Sequence, residues 1–235
     1  MISKSIEDLE KTIGYSFKDK NLIKRALTHS SFANEQRINC DGDYERLEFL
    51  GDAVLELVSS EFFYNKYPDL AEGKLTKIRS SNVCEPALAY CAREFELDKY
   101  IRLGKGEEQT GGRNRDSIIS DVCEALIGAI YLDGGMEYAH DFIHRFILAD
   151  LENKTLFLDS KSVLQEMVQA ADHTSLEYRL VNETGPDHNK EFTVHVFVGG
   201  KMTGEGIGKT KKSAEQKAAY ETIKKLKNYK NQKES

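Results

Sequence analysis

No run of this 235-residue chain is apolar for long enough to span a bilayer. A helical span takes about 20 such residues, so no membrane partner is expected. The opening residues, Met1 to Asp8, lack the apolar core of a secretory signal. Cysteine is scarce: Cys40, Cys84, Cys91 and Cys123 are scattered without CxxC spacing. They read as reduced, partly buried thiols, and a cytoplasmic location is expected. Positive charge is also short. A net charge of −6 and a pI near 5.6 argue against a uniformly basic nucleic-acid binder. That average hides a split: residues 1–155 carry −8, residues 156–235 carry +2, and residues 207–230 alone carry +6. The basic patch is local.

No Gly-, Pro- or Ser-rich spacer divides the chain, yet its patterning changes midway. Up to residue 153, apolar spacings of three and four recur, as in Leu22-Ile23-Ala26-Leu27 and Leu88-Ala89-Ala92-Phe95. Nothing there alternates as a strand, so residues 1–153 are expected to form an all-α domain. Pro68 and Pro86 mark helix boundaries, and residues 104–112 read as a loop. Residues 154–159 read as a short junction. From Lys161 a helix leads to an alternating strand at Leu176–Val181, a turn at Gly185–His188, and a strand through Phe192, Val194, Val196 and Val198. Gly199-Gly200 predicts a hairpin turn. A third strand around 202–206 and a helix at 211–227 follow. A small α+β domain of order α-β-β-β-α over 160–230 is expected, with 231–235 a disordered tail.

Charge placement within the helical half carries the chemistry. In Glu45-Arg46-Leu47-Glu48-Phe49-Leu50-Gly51-Asp52-Ala53-Val54-Leu55, a rotation of about 100° per residue puts Glu45, Glu48 and Asp52 within roughly 60°. Leu47, Leu50, Val54 and Leu57 lie nearly opposite and are expected to anchor the helix in the core. Glu56, one turn further, reads as solvated surface. A second helix, Ser120 to Tyr131, is apolar nearly all round and should be buried. Its charges, Asp121 and Glu124, share a strip with Gly128, which leaves room beside them. Carboxylates on a buried helix are costly unless paired or bound to metal, and no Lys or Arg lies within the segment. A magnesium site built from Glu48 and Asp52 on one helix and Asp121 and Glu124 on the other satisfies both helices. Mg²⁺ takes hard oxygen ligands, and none of the six histidines lies in either segment. The competing reading of the first segment is a solvated, salt-bridged helix face.

These residues also carry a resemblance. Glu45 to Leu55 is similar to the signature segment of the ribonuclease III family, which cuts double-stranded RNA. Ala26-Leu27-Thr28-His29-Ser30-Ser31, Gly111 to Ile118 and Asp121 to Gly135 resemble further family segments. The tail resembles a double-stranded-RNA-binding domain. The resemblance implies Glu48, Asp121 and Glu124 as ligands for Mg²⁺ (or Mn²⁺ in its place), with Asp52 and Glu124 indispensable for cleavage. Glu45 and Glu72 match supporting acids. It further implies 5′-phosphate and 3′-hydroxyl products and roles in processing rRNA precursors and other structured transcripts, mRNA and tRNA included. Phe49, off the aliphatic face, is expected at the interface of a symmetric homodimer that cuts both strands. Tyr44 stands where many relatives have Asn.

In the tail, Lys209, Lys211 and Lys212 crowd the start of the last helix, where the helix dipole disfavours cations. Phosphate binding explains them. Glu215 replaces a Lys found in many such domains, so only modest affinity is expected. Gln165, Glu166 and His188 match positions that touch the RNA minor groove and read its A-form shape. Gly204 to Thr210 superficially suggests a nucleotide loop, but its spacing fails the Walker pattern. Two rivals remain: a cleavage-inactive RNA-binding protein of the same fold, and a metal-dependent hydrolase of small phosphate esters, which would have no use for the tail.

Overall fold

The computed structural model describes residues 5–36, 42–170, 175–185, 190–208 and 210–233. The chain divides into two compact units, Met1–Leu151 and Glu152–Ser235. Cys40, His188 and Lys209 lie outside the described residues, as does most of the expected turn at 185–188.

The first unit is helical: α1 (Ile6–Ile13), α2 (Lys20–Ala26), α3 (Ser30–Glu35), α4 (Glu45–Lys66), α5 (Glu72–Val83), α6 (Glu85–Glu94), α7 (Lys105–Gln109), α8 (Asp116–Gly134) and α9 (Met136–Phe142). Local chemistry sets several ends. Ser5 and Asp8 form a reciprocal capping box on α1, and Gly14 closes it in the left-handed region at φ 71°. Asp19 caps α2. Pro68 follows the end of α4, and Pro86 sits in the first turn of α6, where its missing N–H costs nothing.

Helix α8 is the centre of this unit, packed against α2, α4, α6 and α9. Ile119, Val122, Cys123, Leu126, Ile127 and Ile130 are fully buried along it. Side chains of the size of Leu126 and Ile127 each contribute about 1.5–3 kcal/mol by leaving water. Two expectations fail here. Residues 104–112 are not all loop, because α7 forms a single helical turn whose first residue, Lys105, has its N–H held by Glu35 Oε1 at 2.7 Å. Leu57 is not a core anchor but 59% exposed. The buried stripe of α4 runs through Leu47, Gly51, Val54, Leu55, Val58 and Phe63, and Leu57 lies to one side of it.

In the second unit, α10 (Leu151–Leu158) and α11 (Ser160–Gln169) precede β1 (Leu176–Thr184), β2 (Glu191–Val198) and β3 (Lys201–Gly208), and α12 (Lys211–Lys233) follows. Residues 154–159 are therefore mostly helical rather than a plain junction. Residues 231–233 continue α12 rather than forming a tail. The sheet is antiparallel in the order β1-β2-β3. Gly199 and Gly200 turn the β2–β3 hairpin with φ of 58° and 75°, as a two-residue turn with both residues left-handed requires. Leu164, Val168, Val194, Val196, Ala218 and Ile223 close the core between sheet and helices. The glycines of the false nucleotide loop have a packing role. A Cβ on Gly204, Gly206 or Gly208 would collide with the α12 backbone or its side chains.

Candidate metal centre and nucleic-acid interface

Helices α4 and α8 cross at glycine. A Cβ on Gly51 would overlap the Glu124 carbonyl and come within 2.9 Å of the Gly128 nitrogen. A Cβ on Gly128 would overlap the Leu47 carbonyl and come within 3.1 Å of the Gly51 nitrogen. Two bare backbones thus meet, and the acids that flank each glycine are drawn together.

Electrostatics registers the convergence. Burial, followed by the charges of Asp121, Glu45 and Asp52, raises Glu48 from 4.5 to about 7. Burial, followed by Asp52, Asp121, Glu48 and Glu56, raises Glu124 from 4.5 to about 8. Burial also lifts Asp121, opposed by hydrogen bonds from Tyr44 and Ser120 and by the charge of His29. Among the described residues, no Lys or Arg acts on Glu48, Asp121 or Glu124. Asp52 is the exposed member of the four, whereas Glu48, Asp121 and Glu124 are half-buried.

Of the other expected residues, Glu45 joins this group and Glu72 does not. Glu45 is exposed in the first turn of α4 and acts on Glu48. Glu72 opens α5 and accepts from Thr76 Oγ1 at 2.9 Å. It lines a cavity of about 460 Å³ between α4 and α5, with Leu57, Tyr64, Leu75 and Arg79 among its other walls. Glu56 is not simply solvated surface: Arg79 bridges to it at 2.9 Å, and its charge still reaches Glu124. Phe49 is 81% exposed, on the same helix as exposed Leu57 and Tyr64.

Sequence reasoning missed the partners of Asp121. Tyr44 is buried, and its hydroxyl donates to Asp121 Oδ2 at 3.2 Å. A buried aromatic just ahead of an acidic helix was the one available signal, and it names no partner 77 residues away.

The donor set suits magnesium: four carboxylates, all hard oxygen donors, with no thiolate or competing cation among them. No three His, Cys, Asp or Glu side chains among the described residues stand close enough to hold a metal directly. Mg²⁺ keeps several waters and takes only one or two carboxylates directly, so a spread set can reach it partly through water.

In the second unit, Gln165 and Glu166 are exposed on α11, and Lys211 and Lys212 are exposed at the start of α12. Thr210 Oγ1 accepts from the Ser213 N–H at 3.1 Å, as an N-cap does. Lys211 Nζ lies 5.9 Å from the Phe192 ring centre. Glu215 is paired with Lys161.

Fold and acidic crossing together define a helical nuclease domain followed by a double-stranded-RNA-binding domain. A ribonuclease-III-like family model matches residues 19–151, and a double-stranded RNA binding motif matches residues 160–226. Ribonuclease 3 of Listeria monocytogenes is 48% identical over 222 residues, which cover 94% of this chain and 97% of that protein. Ribonuclease 3 of Caldanaerobacter subterraneus is 50% identical over 221 residues, covering 93% and 96%. The crystal structure of the Campylobacter jejuni ribonuclease III nuclease domain matches with a TM-score of 0.58 at 44% identity, over 63% of this chain and 97% of that one. The chain belongs to the ribonuclease III family and is an endoribonuclease acting on double-stranded RNA.

Proposed function

We propose that the chain is a Mg²⁺-dependent endoribonuclease that hydrolyses both strands of duplex RNA to 5′-phosphate and 3′-hydroxyl ends. The observation that carries this reading is the α4–α8 crossing, which brings four carboxylates within electrostatic reach of one another. Glu48, Asp121 and Glu124 would hold the metal, with Mn²⁺ able to substitute. Bound there, Mg²⁺ would supply the charge that activates water and neutralises the departing oxygen. Asp52, the exposed acid of the four, would accept a hydrogen bond from the attacking water and orient it. Glu45 extends the negative field, whereas Glu72 is bonded to Thr76 beside a cavity that none of the four acids lines, and takes no part in this reading.

Lys211, Lys212 and Lys209 grip phosphates at the head of α12, and Gln165, Glu166 and His188 meet the minor groove. Phe49, Leu57 and Tyr64 form an apolar face that fits a homodimer, whose two sites would address the two strands. A Campylobacter jejuni nuclease-domain structure is described in terms of a region involved in dimer formation; it has a TM-score of 0.57 and 44% identity with this chain, covering 62% of it. Work on rRNA precursors and other structured transcripts, and a cytoplasmic location, accord with this reading. No described helix is long and apolar enough to cross a membrane.

Cleavage of labelled duplex RNA in Mg²⁺, abolished by EDTA, with 5′-phosphate ends on the products, is the expected result. Binding without cutting under both conditions would favour the cleavage-inactive alternative.

A further inference from the structure

Tyr44 touches both acid-bearing helices. It is the last residue before α4, and its carbonyl accepts the Leu47 and Glu48 N–H groups at 2.8 and 2.9 Å. It therefore sets the first turn that carries Glu48. Its own N–H donates to the Thr28 carbonyl at 2.9 Å. The ring is 4% exposed and tilts against His29 with centroids 5.7 Å apart. His29 is itself held, its Nδ1 accepting the Ser31 N–H at 3.1 Å. From that seat the hydroxyl reaches α8 and donates to Asp121 Oδ2 at 3.2 Å. Ser120 Oγ lies 3.5 Å from the other oxygen, Oδ1.

We infer that Tyr44 is a positioning residue for the metal centre, fixing the Asp121 carboxylate relative to Glu48 through one rigid side chain. The inference rests on the proposed ligand role of Asp121. A carboxylate free to rotate loses orientational entropy when it binds a cation, and a hydrogen bond to one oxygen removes that freedom beforehand. Partners of this kind typically change metal affinity by about 10–100-fold. A tyrosine suits the task because its ring is held by packing and its hydroxyl has few positions to occupy.

The test is Tyr44→Phe in the full chain, which keeps the ring and removes the donor, with unfolding in EDTA followed to verify the fold. Mn²⁺ binding without RNA is measured by calorimetry for the parent, Tyr44→Phe, Asp121→Asn and the double variant. The expected result is Mn²⁺ affinity about tenfold weaker in Tyr44→Phe, with no further loss when Tyr44→Phe is added to Asp121→Asn. The Mg²⁺ concentration for half-maximal cleavage should rise more than the rate at saturating Mg²⁺ falls. Parent-like Mn²⁺ affinity in Tyr44→Phe, with weakened binding in Asp121→Asn, overturns the positioning role alone. Parent-like affinity in Asp121→Asn overturns the ligand reading beneath it.

Discussion

Gly51 and Gly128 meet backbone to backbone: a Cβ on Gly51 would overlap the Glu124 carbonyl, and a Cβ on Gly128 the Leu47 carbonyl. That contact sets how closely the two acidic helices approach. Gly51→Ala has no flexible side chain to push aside. A loss of about 2–3 kcal/mol in unfolding free energy is expected, together with weaker divalent-cation binding as the acids separate. Chemical denaturation with and without Mg²⁺ measures both. An unchanged midpoint would mean the crossing is looser than described.

Protonation of the acid cluster couples to stability. Glu48 and Glu124 are raised from 4.5 to about 7 and about 8, so the folded state holds more protons than the unfolded one between those limits. Their contribution is fully present below about 4.5 and is lost as pH rises through about 7 and then about 8. The unfolding temperature in EDTA should therefore receive a falling contribution across this window. Mg²⁺ should restore stability most at the upper end, because it binds the deprotonated carboxylates. A Mg²⁺ effect equally large at pH 5 would contradict the assignment.

Glu124→Gln should cut the cleavage rate at least about a thousandfold, since charge stabilisation by a bound metal is worth several kcal/mol. Duplex binding in EDTA should survive. Filter binding and single-turnover cleavage on the same preparation separate the two effects, and joint loss would point to misfolding.

Lys211→Ala with Lys212→Ala should weaken duplex binding and flatten its dependence on salt, by somewhat under one unit of log–log slope per lysine. Fluorescence anisotropy across a salt series reads this directly. A parallel shift with unchanged slope would remove these lysines from phosphate contact.

Phe49→Ala should loosen the proposed homodimer by about 2 kcal/mol, roughly thirtyfold in dissociation constant, as removal of a central aromatic anchor does. Sedimentation at several concentrations tests it. A parent-like dimer would place the interface elsewhere.

Short-range rules made much of this legible. The angular separation of acids and aliphatics placed α4, all-round apolarity placed α8, and Gly199-Gly200 located the hairpin. Gly128, which reads in the sequence as leaving room beside the acids, instead seats the α4 backbone. What escaped depended on distant neighbours. Leu57 lies beside the buried stripe of its helix, and where the edge of that stripe falls is decided by other elements. The bond from Tyr44 to Asp121 spans 77 residues and leaves no periodic trace. Helix α7 is too short to show a period, and α12 runs to Lys233 because no Gly or Pro interrupts it.

The alternating glycines of β3 have a consequence for how duplexes are held. Because Gly204, Gly206 and Gly208 leave the strand's inner surface bare, α12 rests on main chain there. Sliding the hairpin by a single residue would thrust Thr203, Glu205 and Ile207 underneath it. The basic end of that helix would then be lifted off its seat, so duplex docking depends on the strand's register as well as on the lysines themselves.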